Sequence, residues 1–493
     1  MSNDNRVVII GSGPAGAAAA VFLERAGVET LLLEAGPERS ELGLTFRVGG
    51  MTVAKYRRPL LQRRHVRRTG DDSAQVNEEL APGGLSNHWS CAVPRFSEED
   101  FEDGVRAGLE YTWPIGYRDL APWYARVEPL LHIAGPTYDV TQVPAGNVRN
   151  QVQLGEAWQA LVDSAQSGGR SIVPMPYAYG AESTVTLSGT VFNAFVRLVK
   201  PLLKAGRVSV RYSTRATSLE WSADKRRVVA VLVRDTKTGL EGRVPCRAVV
   251  VAAGAVNSAE VLLRSSSAEF PDGLGNTHGV LGRYLHDHPL GKLVIDLGAP
   301  ASIHPASYIT RLSLDRSQSL YAAAGMQWSG AAIYARSVLN RKPGRLPWIG
   351  FSVFGTMLPS RSNWVALDKT DVSAGTGLEL HVSHEPKALE TLDQTRDQIV
   401  DLLASAGMKP KTRIWKIEPV GNSNHYGGTC RMHASPEYGV IDAFSRVHGV
   451  SNVVVADSAA FTTGPEKNPV LTAMALSARA SDRLAQDLKS GDL

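Results

Sequence analysis

The chain has 493 residues, of which 43% are hydrophobic and 20% are charged. This balance excludes a mainly disordered chain, and the length is sufficient to bury more than one hydrophobic core. The 53 Lys and Arg residues exceed the 48 Asp and Glu residues, so the net charge of +5 is mildly basic.

The first predicted elements are a strand, a helix and a second strand. Residues 6–10 form an apolar, β-branched run, residues 15–26 have helical spacing, and residues 29–34 are again strand-like. This order is typical of a parallel βαβ unit. The polar residues before it lack the basic and apolar regions of a secretory signal.

A glycine-rich turn, Gly11-Ser-Gly-Pro-Ala-Gly16, joins the first strand to the helix. Gly11 permits the tight turn, Gly13 lets the backbone approach a pyrophosphate, and Gly16 lets the helix pack on the strand. Glu34 ends the next strand, where a carboxylate binds ribose hydroxyls and disfavours a 2′-phosphate. The spacing predicts a dinucleotide site, and its N-terminal position favours FAD over NAD. The candidate contacts in this unit are Gly11, Gly13, Pro14, Ala15, Gly16, Glu34 and Ala35.

Residues 37–82 are polar, rich in arginine and predicted to be irregular. The segment 55–68 carries much of the excess positive charge. A basic run of this kind is able to bind nucleic acid, anionic lipid or an acidic partner. Because no nucleic-acid motif accompanies it, we interpret it as a solvated loop or lid over an enzyme surface.

The rest of the chain alternates between two kinds of pattern. Strands are predicted at 207–212, 228–233 and 247–254, a helix at 257–264, a strand at 452–457 and a final helix at 470–488. Between them, residues 290–422 contain short strand-like runs and one helix at 389–406, which indicates an antiparallel sheet with a helix packed on it. The chain therefore predicts one α/β domain built from three separated stretches, with an inserted α+β domain.

Domain boundaries follow from this alternation. Residues 1–135 are assigned to the first part of a Rossmann-type FAD-binding domain and residues 201–289 to its second part. Residues 136–200 are assigned to a substrate-domain segment and cap, and residues 290–424 to the substrate-binding domain. Residues 425–493 are assigned to a C-terminal block that completes the FAD domain.

Four further motifs are Gly83-Gly-Leu-Ser-Asn-His-Trp89, the run from Gly254 to Arg264, the run from Gly282 to Pro289, and a C-terminal block that starts at His425 and includes Asn468-Pro469. Together they resemble the glucose–methanol–choline (GMC) oxidoreductases. The resemblance implies a two-domain fold, a non-contiguous FAD domain, and oxidation of an alcohol with hydride passed to flavin N5.

The resemblance also implies roles for individual residues. His425 lies where the family has its catalytic histidine, and Asn468 lies where the second member of that pair stands. Asp457 falls where an acidic residue approaches the flavin pyrophosphate and ribityl region, and Ala216 near a segment that meets the adenine. The further cofactor contacts implied are Gly84, Ser86, Asn87, His88, Trp89, Gly254, Asn468 and Pro469.

The branch of the family is indicated by the segment 83–96. It resembles most closely the pyranose oxidases and related glycoside oxidases, although the triplet Asn-His-Trp also occurs in gluconate-type dehydrogenases of the family. In pyranose oxidases the matching histidine can carry covalent FAD. Three roles therefore stay open for His88: a covalent bond to FAD, a non-covalent flavin contact and a structural role.

Other chemistry-bearing residues are assigned structural roles. His286 and His288 are too few for a metal site, so no metal is expected. The three cysteines, Cys91, Cys246 and Cys430, are odd in number and widely spaced, which excludes a disulfide framework and fits a reducing cytoplasm. No apolar run of about 18 residues is present, so no membrane span is expected.

The leading hypothesis is FAD-dependent oxidation of a CH–OH group, on a sugar, a glycoside or a sugar-bearing natural product such as an aminoglycoside-type intermediate. The alternatives are a non-redox lyase of the hydroxynitrile type, an oxidase or dehydrogenase for a non-sugar alcohol or sterol, and a non-catalytic flavin-binding protein. The electron acceptor, oxygen or a quinone or another acceptor, stays open, and so does the oligomeric state.

Overall fold

The computed structural model describes residues 6–39, 44–48, 51–55, 62–108, 112–178, 184–188, 192–302, 307–311, 324–328, 345–370 and 377–493. Its α-helices are α1 (Pro14–Arg25), α2 (Glu98–Ala107), α3 (Tyr117–Leu131), α4 (Gln159–Ser167), α5 (Lys200–Lys204), α6 (Ala255–Leu263), α7 (Pro386–Ser405) and α8 (Val470–Ser490). Its strands, in chain order, are β1 (Val7–Ile10), β2 (Thr30–Leu33), β3 (Leu44–Val48), β4 (Met51–Lys55), β5 (Gln62–Arg63), β6 (Arg67–Arg68), β7 (Asn77–Glu78), β8 (Ile133–Gly135), β9 (Asn150–Gln151), β10 (Ile172–Pro174), β11 (Tyr177–Ala178), β12 (Thr184–Ser188), β13 (Ser209–Arg211), β14 (Thr214–Ser222), β15 (Arg227–Asp235), β16 (Glu241–Pro245), β17 (Ala248–Val251), β18 (Leu290–Ser302), β19 (Ser307–Ile309), β20 (Ala324–Trp328), β21 (Arg345–Gly355), β22 (Trp364–Leu367), β23 (Leu378–His381), β24 (Lys411–Ile417) and β25 (Val453–Val455).

Five strands from three separated stretches of the chain form one parallel sheet, in the order β13-β2-β1-β17-β25. The strands β1, β2, β17 and β25 are aliphatic runs that are buried along their whole length. Such runs are typical of parallel strands that are covered on both faces. The first and last helices, α1 and α8, pack against each other and contact this sheet. The predicted Rossmann-type domain from separated stretches is therefore confirmed.

The carboxyl ends of the central strands meet at one edge of this sheet. β1 runs into the turn at Gly11, β17 is followed by Gly254, and β25 is followed by Asp457. In open parallel sheets, ligands bind outside this edge. The topology thus brings together three motifs that lie more than two hundred residues apart in the chain.

A second sheet has six strands in the order β10-β19-β20-β21-β18-β24, and every neighbouring pair is antiparallel. Alternate residues of its strands point to opposite faces. Leu293 and Val353 belong to a core that they share with Leu392 and Ile399 of α7. This is the predicted antiparallel sheet with a helix packed on it, and part of its other face, on β18 and β21, lines a cavity.

The prediction that residues 37–82 are irregular is wrong for part of this stretch. β3 pairs antiparallel with β4, β4 pairs parallel with β12, and β6 pairs with β23. The distant partners of β4 and β6, which are β12 and β23, gave no local signal for these strands. The run also differs from a simple solvated loop, since Arg64 is only 7% exposed and donates to Glu260 at 2.7 Å. Residues 56–61 of the run lie outside the described residues.

The boundaries of the five predicted domain segments stay a prediction. Within the described part of the chain, no helix combines the length and the apolar character that crossing a membrane requires.

Candidate active site

A cavity of about 900 Å³ lies between the carboxyl edge of the parallel sheet and this other face of the six-stranded sheet. The glycine-rich turn lines one end of it. The residues Leu290, Lys292, Ser352 and Phe354, which alternate along β18 and β21, line the other end. The cavity therefore connects the predicted dinucleotide site with the predicted substrate domain.

The glycine-rich turn has the geometry that a bound pyrophosphate requires. Gly11 has a φ of 98°, and a Cβ there would lie 2.5 Å from the carbonyl oxygen of Ala252. A Cβ on Gly16 would lie 2.0 Å from the carbonyl oxygen of Gly11, so the helix packs tightly on the turn. At Gly13 the nearest atom to a Cβ would be the Gly83 oxygen at 4.0 Å, so this position opens to the cavity. The N-terminus of α1 has no side-chain cap and is thus available to a phosphate.

Glu34 follows β2 and lines the cavity, although it is only 5% exposed. Its carboxylate accepts hydrogen bonds from the Ser12 hydroxyl and, at 2.7 Å, from the Gly36 backbone N–H. Burial raises the pKa of the Glu34 carboxyl, and these hydrogen bonds oppose that shift. Ser12 also accepts from the Gly83 N–H at 2.9 Å, which ties the flavin-loop motif to the turn.

Asp457 holds two turns together at the carboxyl edge of the sheet. Its carboxylate accepts from the Gly254 N–H at 2.9 Å, from the Ser258 hydroxyl at 2.6 Å, and from the Ala459 N–H at 2.8 Å. Burial raises its pKa, whereas these donors lower it. Asp457 therefore positions the start of α6 beside the cavity that it lines.

The loop 83–89 forms one turn of 3₁₀-helix at Gly84–Asn87. His88 Nε2 lies 2.7 Å from a carboxylate oxygen of Glu79, and Trp89 Nε1 donates to the Phe192 oxygen at 2.8 Å. The Asn87 amide donates to the Gly84 oxygen at 2.8 Å. This loop is thus held by its own polar side chains before any ligand binds.

Most of the predicted site residues meet in the one cavity. Those that line it are Gly11, Gly13, Pro14, Ala15, Glu34, Ala35, Gly84, Ser86, His88, Trp89, Ala216, Gly254, His425, Asp457, Asn468 and Pro469. Gly16 and Asn87 are outside that lining. Gly16 lets α1 pack on the glycine-rich turn, and Asn87 holds the shape of its own loop. Neither residue is therefore placed to contact a ligand directly.

His425 and Asn468 come together from separate elements. Asn468 lies directly before the start of α8, whereas His425 lies in the loop after β24, and their Nδ2 and Nε2 atoms are 3.3 Å apart. The pair lies at the junction between the two ends of the cavity. The polar ends of both side chains therefore lie at one point of the cavity lining.

The imidazole of His425 is fixed from several sides. Its ring stacks on Phe354 with 5.3 Å between centroids, and His288 meets it edge-on at 5.0 Å. Its backbone N–H donates to Asp287 Oδ1 at 2.7 Å, and Asp287 also accepts from the hydroxyl and the N–H of Ser423. Asp287 is thus a positioning residue for the loop that carries His425.

Electrostatics keep the imidazole neutral. Burial, together with the nearby His288 and Lys292, holds the pKa of His425 well below its usual value. Burial likewise raises the pKa of Asp287 to about 6, against the hydrogen bonds that it accepts. A neutral histidine is able to accept a proton at neutral pH, which is what a general base requires.

Two family profiles match this chain. A profile of FAD binding domains matches residues 6–284, and a profile described as GMC oxidoreductase matches residues 359–477. The chain belongs to the GMC oxidoreductases. This GMC oxidoreductase is an FAD-dependent enzyme, and the open position at Gly13, the buried carboxylate of Glu34 and the uncapped start of α1 fit that cofactor.

Curated relatives extend over nearly the whole chain. A 2-methyl-1,2-propanediol dehydrogenase of Mycolicibacterium austroafricanum is 26% identical and covers 97% of this chain and 95% of its own. A paromamine 6'-oxidase of Streptomyces fradiae is 27% identical and covers 98% of this chain and 92% of its own. A C-glycoside 3-oxidase of Microbacterium trichothecenolyticum is 24% identical, with 98% and 96% covered.

Sequence reasoning missed a buried ionic cluster that anchors the loop before Asn468 in this GMC oxidoreductase. Lys467 pairs with Asp100 of α2, and both residues are 1% exposed. Glu466 accepts from the Tyr308 hydroxyl at 2.7 Å and pairs with Arg311 at 3.3 Å. The adjacent charges Glu466-Lys467 directly before Asn468 were the available signal, since charges that are buried require partners.

The cavity wall on the six-stranded sheet was also missed. Ser352 and Phe354 were inside a predicted strand-like run, 346–354, and Lys292 was inside the predicted substrate domain, but none of the three was assigned to the site. The signal for these residues is the alternation of side chains between the two faces of a strand. The residues between them are apolar and face α7, so these side chains point to the opposite face.

Proposed function

We propose that this enzyme oxidises a CH–OH group of a sugar, glycoside or sugar-bearing natural product to a carbonyl, with His425 and Asn468 as the catalytic pair. The observation that carries the proposal is the 3.3 Å contact between these side chains at the junction of the cofactor and substrate ends of one cavity. FAD, when bound, supplies the hydride acceptor.

Residues of this chain remove the proton of the substrate hydroxyl group. An alcohol loses hydride readily only when its hydroxyl proton is also removed, because the product would otherwise be a protonated carbonyl. The neutral imidazole of His425 accepts that proton. The Asn468 amide has no basic nitrogen, so it donates a hydrogen bond to the substrate oxygen and orients it.

Preorganisation of the base follows from its surroundings. Phe354 covers one face of the imidazole, and Asp287 fixes the backbone of the loop. These contacts restrict the orientation of the ring, and a catalytic group held in position lowers the cost of reaching the reactive geometry.

The substrate class rests on the cavity and on the relatives. Asn422, Ser423 and Asn424 line the cavity beside His425 and offer hydrogen-bonding groups to hydroxyls. Relatives of the chain are named as oxidases of paromamine and of C-glycosides, and as a diol dehydrogenase. A hydroxyl-rich ligand thus fits both the lining and the family.

An anaerobic screen of alcohols and sugars tests the function. We expect a sugar or glycoside to bleach the flavin absorbance in the absence of any acceptor. Reoxidation of the bleached enzyme by oxygen, or only by a quinone, then identifies the acceptor. A cyanohydrin that is cleaved without bleaching, while no alcohol bleaches the flavin, would show a lyase instead.

We also propose that His88 attaches the flavin covalently. The residue lines the cavity, and Glu79 holds its ring. After acid precipitation, we expect the yellow colour to stay in the pellet for the wild type and to move to the supernatant for His88→Ala. Flavin in the wild-type supernatant would exclude the covalent bond and leave the catalytic pair untouched.

A further inference from the structure

Lys292 is a cation on the wall of the cavity, remote from the glycine-rich turn. It lies in β18 directly opposite Ser352 of β21, and its Nζ donates to the Ser352 hydroxyl at 2.7 Å. A lysine ammonium has three N–H donors. Within the described residues, the serine hydroxyl is the one hydrogen-bonding partner of this ammonium, so further donors face the cavity.

The carboxylate that acts electrostatically on Lys292 is that of Glu418, and it already accepts hydrogen bonds from other side chains. Glu418 lines the same part of the cavity, but both of its oxygens accept from Lys416, at 3.1 and 3.2 Å, and the Asn422 amide donates to it at 2.9 Å. Two ammonium groups therefore accompany one carboxylate here. The net charge of Lys292, Lys416 and Glu418 together is therefore positive. Lys292 is the lysine of the two that lines the cavity.

The position of Lys292 relative to the reacting group follows from the strand. Ser352 and Phe354 are two residues apart on β21, which separates their Cα atoms by about 7 Å. Phe354 stacks on His425, and Ser352 bonds Lys292. Lys292 and His425 therefore contact β21 at two positions on the same face of the strand, two residues apart.

We infer that Lys292 binds a carboxylate on the substrate, so that the preferred substrates are sugar acids whose carboxylate lies across the ring from the carbinol that is oxidised. The inference rests on the proposed function, and it narrows the substrate class. A charged hydrogen bond in a partly desolvated cavity favours an anion over a neutral group. An amine at the same place meets a like charge, so amine-bearing sugars are disfavoured.

A matched set of three substrates tests this inference. We compare a methyl glycoside, the corresponding uronate and the corresponding 6-amino-6-deoxy glycoside, by flavin reduction under anaerobic conditions. For the wild type we expect the highest kcat/KM with the uronate and the lowest with the amine. In Lys292→Met, kcat/KM for the uronate falls about 10- to 100-fold, mainly through KM, as expected for a lost hydrogen bond between charged groups. Because Lys292 also acts on the pKa of His425, both substrates are expected to change, and the ratio of kcat/KM for the uronate to that for the neutral glycoside is the readout.

Lys411→Met is the matched control, because Lys411 is an exposed lysine of β24 that does not line the cavity. It should keep the wild-type order of substrates. An unchanged ratio of uronate to neutral glycoside in Lys292→Met would overturn the inference and leave the proposed function intact.

A binding measurement separates the two proposals if none of the three substrates reduces the flavin. Benzoate, a carboxylate without a carbinol, is titrated against the holoenzyme and read by the perturbation of flavin absorbance. We expect its Kd to rise about 10- to 100-fold in Lys292→Met and to stay at the wild-type value in Lys411→Met. Equal Kd values in the wild type and Lys292→Met would overturn the role of Lys292, whatever the reaction is.

Discussion

His425→Ala is expected to retain FAD and to reduce it about 10²- to 10⁴-fold more slowly than the wild type, which is the usual effect of losing a positioned base. The side chain is proposed to accept the hydroxyl proton, and its removal leaves the glycine-rich turn and Glu34 unaltered. Asn468→Ala should lose a smaller factor, about 10-fold, because it removes a hydrogen bond and not the base. Anaerobic stopped-flow on the true substrate measures both.

The control is His278→Ala, since His278 is exposed and lies outside the cavity lining. The pH profile adds a second readout. Because the pKa of His425 is held well below its usual value by burial, the imidazole stays neutral as the pH falls through 6.5, and the rate should decline only at lower pH. A wild-type rate in His425→Ala would show that another group is the base.

Gly13→Leu is expected to give a folded, colourless protein that does not load FAD. The φ of −64° at this position is ordinary for any residue, and no protein atom lies closer than 4.0 Å to a Cβ built there. The added side chain therefore costs the fold little, but it fills the space through which a pyrophosphate approaches α1. Flavin content per chain and the circular dichroism spectrum measure the two effects separately.

Gly155→Leu is the control for Gly13→Leu, because Gly155 also has open space around it but lies away from the cavity. It should load FAD like the wild type. By contrast, leucine at Gly16 would place Cβ 2.0 Å from backbone and should destabilise the fold itself. A Gly13→Leu protein with full flavin content would show that the pyrophosphate of the cofactor does not bind at this turn.

Much of the site was open to prediction because its parts are local. A glycine turn between a strand and a helix, and a carboxylate at the end of the next strand, each lie within a few residues and carry their geometry in their spacing. The strands of the parallel sheet are equally local, since an unbroken aliphatic run predicts burial on both faces wherever it occurs. His425 and Asn468 were predicted from a resemblance to the family, because a lone histidine or asparagine has no spacing that marks it.

The amino-acid sequence by itself determined the Rossmann-type unit and its dinucleotide fingerprint, because these depend on short-range patterns. Only the tertiary structure decided that Asp287 holds the loop of His425, that Glu466 and Lys467 anchor the loop of Asn468, and that Lys292 faces the cavity. Each of these contacts joins residues more than a hundred positions apart, or depends on which face of a paired strand looks inward. Strand pairing and burial set such contacts, and neither is encoded in a local stretch of the chain.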